Sequence, residues 1–306
     1  MKMIKALFTL SHILLMLSPI YADELKNNLV LSNKDHLHEK NLNEEVLWNK
    51  LKNVKPATNK HFVVVVASYN NKDWYKKNLD SIFMQKYENY NVIYVDDCSP
   101  DGTGNLVEQY IKNKHQEYRV ILIRNKERMK HLSNYYHAIH SCANDSIIVL
   151  IDGDDWLAHD HVLDLLNRVY DDPNVWLTYG LFKRYPSNER CSSKSIPVNV
   201  IQDNAFRSIS TFAVHLRTFY AGLFKTIKKE DLLFEKKFIP CACDLAMMFP
   251  MFEMAGFKSK YIPDILYIYN NANALNVHKQ TPDLQQKMDH FIRSKERYAP
   301  LKTLEA

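Results

Sequence analysis

The sequence predicts an α/β fold built on a mostly parallel central sheet, and three observations carry that expectation. Three apolar, largely β-branched runs, 62–67, 91–95 and 147–151, have the composition of strands buried on both faces. Each runs straight into a polar loop: Ser68-Tyr69-Asn70, Asp96-Asp97-Cys98-Ser99-Pro100-Asp101-Gly102-Thr103, and Asp152-Gly153-Asp154-Asp155. A helix-like stretch follows each loop, and repeated β-α units imply parallel strands joined by right-handed crossovers. In such a sheet all three loops lie on one edge, where ligands collect.

Taken in order, the chain opens with Lys2 and Lys5 before an apolar stretch, 6–17, and a small residue, Ala22, before Asp23. Residues 1–22 therefore read as a cleaved secretory signal peptide, with an exported or secretory-pathway (lumenal or secreted) location as the expectation. A cytoplasmic location is the alternative should this segment not be a signal. The apolar stretch falls short of the roughly 20 residues a membrane span needs, so no stable span is expected. Residues 23–59 are rich in Asn, Lys, His and Glu and read as a polar lead-in, helical or loose, that stops at Pro56. The folded body should begin near His61.

Within it, 71–84 is a helix candidate that can put Trp74, Leu79, Ile82 and Phe83 on one face. Gly102-Thr103 opens a second, carrying Leu106, Val107, Tyr110 and Ile111. A strand is expected at 119–123, and a helix at 131–142 packing Leu132, Tyr135, Tyr136 and Ile139. Helix resumes over 161–170 and strand over 175–179. Residues 183–204, rich in Ser, Pro and Asn, read as a mobile loop, either a closing element over a ligand or a plain connector. A further strand is expected at 265–269, and the tail after Thr281 reads as helix until Pro300.

Composition narrows the function classes. Hydrophobic residues make up 46% and charged residues 25%, as in an ordinary globular protein. The formal charge of +5 includes Lys2 and Lys5, whose removal leaves +3, and no arginine-rich, aromatic-interleaved stripe exists. Nucleic-acid binding is not expected. Six glycines leave little material for a Gly-rich phosphate loop, so phosphates would have to be held by a metal and by side-chain charge. The five cysteines form no CxxC pair, which argues against zinc or dithiol chemistry.

The acidic turn at 152–155 carries the most chemistry. Three carboxylates at a strand end repel one another unless a cation or hydrogen-bond donors compensate them. A divalent ion with hard oxygen ligands, Mg²⁺ or Mn²⁺, does so readily and can bridge substrate phosphates. A solvated turn that caps the next helix is the plain alternative.

Three elements in register, Ala67-Ser68-Tyr69-Asn70, Asp96 to Thr103 and Asp152 to Asp155, resemble the donor site of glycosyltransferase family 2, whose members have the Rossmann-like GT-A fold and invert the transferred sugar. The resemblance covers roughly residues 61 to 180. It implies a nucleotide-sugar-binding half at 60–180 and an acceptor-side half with the C-terminal tail at 181–306. It also implies a divalent cation as cofactor, a nucleotide-sugar donor, UDP-linked in the favoured reading, and a glycan, lipid or protein acceptor. Asp154 is then the metal ligand, with Asp152 near the ribose and the metal and Asp155 hydrogen-bonding behind them. Asp96 would accept a hydrogen bond from the base, Asp97 would do the same or face the sugar, and Ala67 and Tyr69 would line the nucleotide, with Tyr69 stacking on it or packed in the core.

An inverting transfer also needs a base for the acceptor hydroxyl. The family places a Glu-Asp pair at a helix head, and the matching segment here is Cys243-Asp244, so Asp244 is the catalytic candidate and Cys243 departs from the pattern. A helix-starting aspartate is the plain reading of Asp244. His278 stands where several such enzymes carry a late metal-site histidine. His215 and Arg217 could contact the acceptor or the donor phosphate, or simply line a strand edge. Arg124, Arg128 and Lys130 could reach the diphosphate or form a solvated basic face. Nucleotide sugars are made in the cytosol, so an exported enzyme needs a compartment that imports them. Two other classes remain: a non-catalytic binder that keeps the donor loops, and a sugar nucleotidyltransferase, against which the glycine-free Ser68-Tyr69-Asn70-Asn71-Lys72 loop argues.

Overall fold

The computed structural model describes residues 46, 48–209, 215–275 and 281–305. Contacts divide the chain into two compact units. The larger takes in Asn59–Asp164 and Trp176–Ala306, and the smaller takes in Leu165–Val175 with the segment up to Thr58. The signal-peptide segment and His278 lie outside the described residues.

The larger unit is organised by an eight-stranded sheet of β1 (Phe62–Ser68), β2 (Tyr90–Asp96), β3 (Val120–Arg124), β4 (Ile147–Asp152), β5 (Trp156–Leu157), β6 (Leu177–Tyr185), β7 (Arg217–Tyr220) and β10 (Ser259–Asn270). Its order is β3-β2-β1-β4-β7-β6-β10-β5. The short strands β8 (Leu233–Phe234) and β9 (Lys237–Phe238) pair separately. The pairings leave β7 and β5 antiparallel to their neighbours, and the other strands of the large sheet share one direction. Register puts Ser68 beside Asp96 and Ala67 beside Asp152, so the three polar loops emerge on one rim as the sequence predicts.

β1 is buried at every position, and its residues alternate between two covered faces. Val63, Val65 and Ala67 join Ile93, Val95, Ile148 and Leu150 in a core shared with α3 (His131–His140), α6 (Ala221–Lys225) and α7 (Cys243–Ala255). On the other side of the strand plane, α1 (Tyr75–Phe83) and α2 (Thr103–Asn113) bury Leu79, Ile82, Val107 and Ile111. Each such aliphatic side chain taken from water contributes roughly 1.5–3 kcal/mol. The remaining helices are α4 (Val162–Val169), α5 (Val198–Gln202) and α8 (Pro282–Ser294).

Two expectations shift. The loop expected from residue 183 begins later, because β6 continues to Tyr185 along β10. The tail helix expected until Pro300 ends at Ser294, where Lys295 turns to extended backbone. α7 is apolar on all sides and buried from Leu245 to Ala255, as suits a helix enclosed by the core. Its Glu253 takes two hydrogen bonds from Arg207, Nε to Oε1 at 2.6 Å and Nη2 to Oε2 at 2.9 Å. Arg207 also donates to the carbonyls of Ile292 and Lys295, which fastens the C-terminal end of the last helix to this core.

In the smaller unit, Trp48 is buried and Asp171 accepts hydrogen bonds from the amides of Ala57 and Thr58, both at 3.0 Å. Asn167 donates to the carbonyl of Thr58 at 2.9 Å.

Candidate active site

The acidic turn after β4 is held by backbone and side chains from five elements. Gly153 donates its amide to the carbonyl of Ala67 at 2.9 Å, which is how Ala67, itself buried, takes part. A Cβ on residue 153 would lie 2.6 Å from both Ser68 Cβ and Asn71 Nδ2, so only glycine permits this approach. Asn78 of α1 donates Nδ2 to the carbonyls of Asp152, at 3.1 Å, and Asp155, at 2.7 Å.

The three carboxylates of the turn differ in environment. Asp155 is buried and receives the Tyr267 hydroxyl and the Asn270 amide, each at 2.6 Å. Burial, with the charges of Asp154 and Asp152, pushes its carboxyl well above the usual range. Asp152 receives the Tyr135 hydroxyl on Oδ1 at 2.6 Å and Arg217 Nη2 on Oδ2 at 3.3 Å. Burial would raise it, but His215, whose Nε2 lies 4.0 Å from Oδ2, and the charge of Arg217 hold it well below the usual carboxylate range. Asp154 receives only Asn273 Nδ2, at 2.7 Å, among the described side chains. Burial and the neighbouring Asp152 charge raise its carboxyl, against the bond from Asn273.

These differences decide where a divalent cation fits. One ligand atom each from Asp152, Asp155 and His215 lie within 4.8 Å of one another, a cluster that could hold a metal. Donors already occupy most of those atoms, however, and the Arg217 guanidinium stands among them. Asp154 is the carboxylate of the turn with unfilled capacity among the described side chains, and it carries an unfavourable burden of negative charge that a cation beside it would relieve.

Asp96 ends β2 buried, 3% exposed, and its Oδ1 has no hydrogen-bond partner. Burial raises its carboxyl, against hydrogen bonding with Ser99 and the charge of Arg124. Gly104 makes room for it: a Cβ there would lie 2.5 Å from Asp96 Oδ2 and 2.9 Å from Arg124 Nε. Asp97, in contrast, spends both oxygens on the loop after β3, receiving Asn125 Nδ2 and the amides of Met129 and Lys130 at 2.7–2.8 Å. Tyr69 is half-buried, with the Arg128 guanidinium 3.8 Å from its ring centre. Arg124 faces Glu108 at 3.6 Å.

Asp244 lies in the first turn of α7, half-buried, where the helix N-terminus favours its charge. It is near enough for that charge to act on His215 and Arg217. Beside it, burial and the Asp244 charge push the Cys243 thiol up to about 12. The structure thus brings Ala67, Tyr69, Asp96, Asp97, Asp152, Asp154 and Asp244 to the larger unit's carboxyl rim. Tyr135, Tyr267, Asn78 and Asn273 were not anticipated there. The run Asn270-Asn271-Ala272-Asn273 directly after a strand was the available signal for the last of them.

A parallel α/β sheet with carboxylates gathered on this rim defines a GT-A-type transferase fold. Residues 63–250, more than half of the chain, match the family described as Glycosyl transferase family 2. The chain belongs to that family. It is 27% identical over 108 residues to Glycosyltransferase GlyA of Streptococcus pneumoniae, spanning 35% of this chain and 15% of that protein. It is 33% identical over 92 residues to EpsE of Bacillus subtilis, spanning 30% and 32%. The chain thus spans under a third of the length of these two relatives. Among solved structures, the mannosyltransferase PcManGT of Pyrobaculum calidifontis, in complex with GDP-Man and Mn²⁺, matches with TM-score 0.55 at 18% identity, over 83% of this chain and 72% of that one. S. aureus TarS 1-349 in complex with UDP-GlcNAc matches with TM-score 0.53 at 17% identity, over 76% and 65%. Both likenesses concern the fold.

Proposed function

We propose that this protein is a metal-dependent, inverting glycosyltransferase that moves a hexosyl or N-acetylhexosaminyl group from a UDP-sugar to an acceptor hydroxyl. The observation that carries the reading is the buried, unpartnered Asp96 Oδ1 on the same rim as Asp154 and Asp244. An orphaned buried acceptor is costly unless a ligand fills it, and uracil presents an N–H where cytosine presents a bare ring nitrogen. Structural neighbours that bind UDP-GlcNAc or GDP-Man support a nucleotide-sugar donor, and the Mn²⁺ in one of them supports a cation.

In this reading Asp96 receives the base N–H, and Tyr69, backed by Arg128, lines the nucleotide. Asp154, whose carboxylate is held by Asn273, would hold the divalent cation. When bound, the cation supplies Lewis-acid neutralisation of the departing diphosphate. Asp244 takes the proton from the acceptor hydroxyl on the opposite side of the sugar, which gives inversion. Cys243, kept protonated at neutral pH by burial, leaves that task to its neighbour.

Calorimetry with UDP and Mn²⁺, followed by chromatography of UDP released from UDP-sugars, tests the proposal. Binding and release abolished by chelator, and release lost in Asp154→Ala, are the expected results. Tight binding without turnover on any acceptor would instead favour a non-catalytic donor-loop protein. Pyrophosphate as product would favour nucleotidyl transfer. Export directed by residues 1–22 is a further part of the proposal, and N-terminal sequencing of the protein from its native cell tests it. No helix among the described residues is long and apolar enough to cross a membrane.

A further inference from the structure

Arg217 opens β7, the antiparallel strand inserted between β4 and β6, and the register Leu150–Arg217 sets it two residues from the acidic turn. It is buried, 4% exposed, so it is not a solvated strand edge. Its Nη2 lies 3.3 Å from Asp152 Oδ2 and 3.2 Å from His215 Nε2. A guanidinium only donates, so His215 Nε2 must be the acceptor and its ring proton sits on Nδ1. Asp152 is thereby gripped from three elements: Arg217 on one oxygen, Tyr135 of α3 on the other, and the Tyr267 hydroxyl of β10 accepting its amide at 3.2 Å. Arg217 Nε has no partner, so one buried donor remains open in the same place.

We propose that Arg217 is a positioning residue of the donor site, wedged between Asp152 and His215 so that the first carboxylate of the acidic turn meets the nucleotide donor in a single orientation. The inference rests on the donor-site reading above. A buried ion pair seldom stabilises a fold more than apolar residues of the same volume would, so a purely architectural role leaves this arrangement without a reason. Holding a carboxylate against the pull of a nearby cation supplies one. Asp152 would then be kept for the donor, and Asp154 would hold the cation.

A double-mutant cycle on UDP–Mn²⁺ binding, read by calorimetry on the full chain, tests this with Arg217→Met, Asp152→Asn and the double variant, and with thermal melts as the folding control. Arg217→Met should weaken UDP–Mn²⁺ binding by at least about tenfold, and the double variant should bind no more weakly than the worse single one, because the two residues act as a unit. Arg217→Lys, which keeps the charge but loses the planar fork and its fixed reach, should recover part of the loss. Wild-type affinity in folded Arg217→Met, or losses that multiply in the double variant, would overturn the proposal. So would failure of both Arg217→Met and Arg217→Lys to fold, which would make the role structural. Wild-type protein that binds neither UDP–Mn²⁺ nor GDP–Mn²⁺ would instead bring down the donor-site reading, and this inference with it.

Discussion

Asp96 gives the sharpest test of the proposal that the rim reads a base. Replacing it by Ala removes a buried carboxylate oxygen that has no partner in the free protein. A hydrogen bond to a charged group is worth about 1.5–3 kcal/mol. At roughly 1.4 kcal/mol per decade, its loss weakens UDP binding by about ten- to a hundredfold. Asp96→Asn keeps a neutral bond of about 1 kcal/mol, so the loss shrinks to about 0.5–2 kcal/mol, roughly two- to thirtyfold. The free protein should respond in the opposite sense: with an unpaired buried acceptor gone, the apo melting temperature should hold or rise. A second route reaches the same carboxylate without touching it. Gly104→Ala would put a methyl group 2.5 Å from Asp96 Oδ2 and 2.9 Å from Arg124 Nε, and both side chains must move. Its UDP affinity should fall towards that of Asp96→Asn. Calorimetry with UDP and CDP in the presence of Mn²⁺, paired with thermal melts, reads both effects. Unchanged UDP affinity in Asp96→Ala, with the wild type binding measurably, would refute the reasoning.

Four further outcomes are expected. Gly153→Ala forces the acidic turn away from Ser68 and Asn71. It should cost about 1–3 kcal/mol by overpacking and abolish sugar release, read by urea melts and a UDP assay. Glu253→Gln leaves Arg207 charged in the core without a carboxylate to balance it, and should destabilise by up to about 3–5 kcal/mol in urea melts. Asp154 and Asp155 have carboxyls raised in the folded state, chiefly by burial. The folded protein therefore binds their protons more tightly than the unfolded chain, and their destabilising effect is complete above the raised values and relieved as pH falls towards about 3.9. A divalent cation replaces those protons, so Mn²⁺ should raise the melting temperature more at neutral pH than in mild acid. Cys243→Ala removes a thiol held neutral and should leave the transfer rate within a fewfold of wild type, measured by UDP release.

The rim was legible because its strands are short, β-branched and end in acidic loops. Local pattern alone placed Asp96, Asp152 and Asp154 together. β7 was less legible, since a four-residue antiparallel strand followed at once by α6 leaves one apolar run with no period to divide it. The same difficulty hid the clamp on Asp152. Tyr135 shows only as one apolar position on a helix and Tyr267 as one on a strand, and their hydroxyls meet the acidic turn from residues 17 and 115 positions away in the chain. Asp96 and Asp97 are adjacent and alike in sequence, yet one keeps an open oxygen and the other is consumed by the loop after β3. Only the path of that loop separates them.

The open groups on this rim also argue for what must arrive. Among the described residues, Asp96 Oδ1, Asn70 Oδ1, Asn71 Oδ1 and Asn78 Oδ1 are buried acceptors with no partner, and Arg217 Nε, next to Asp152, is a buried donor with none. Arg128 is spread over Tyr69, and Arg124 faces Glu108 and Asp96. A diphosphate brought alone to such a surface would face carboxylates and amide oxygens, and repulsion would exclude it. Base N–H groups and ribose hydroxyls suit those acceptors, and a divalent cation suits Asp154. The same acceptors that make the free site costly therefore favour a nucleotide whose charge comes already joined to a metal ion, and disfavour the bare anion.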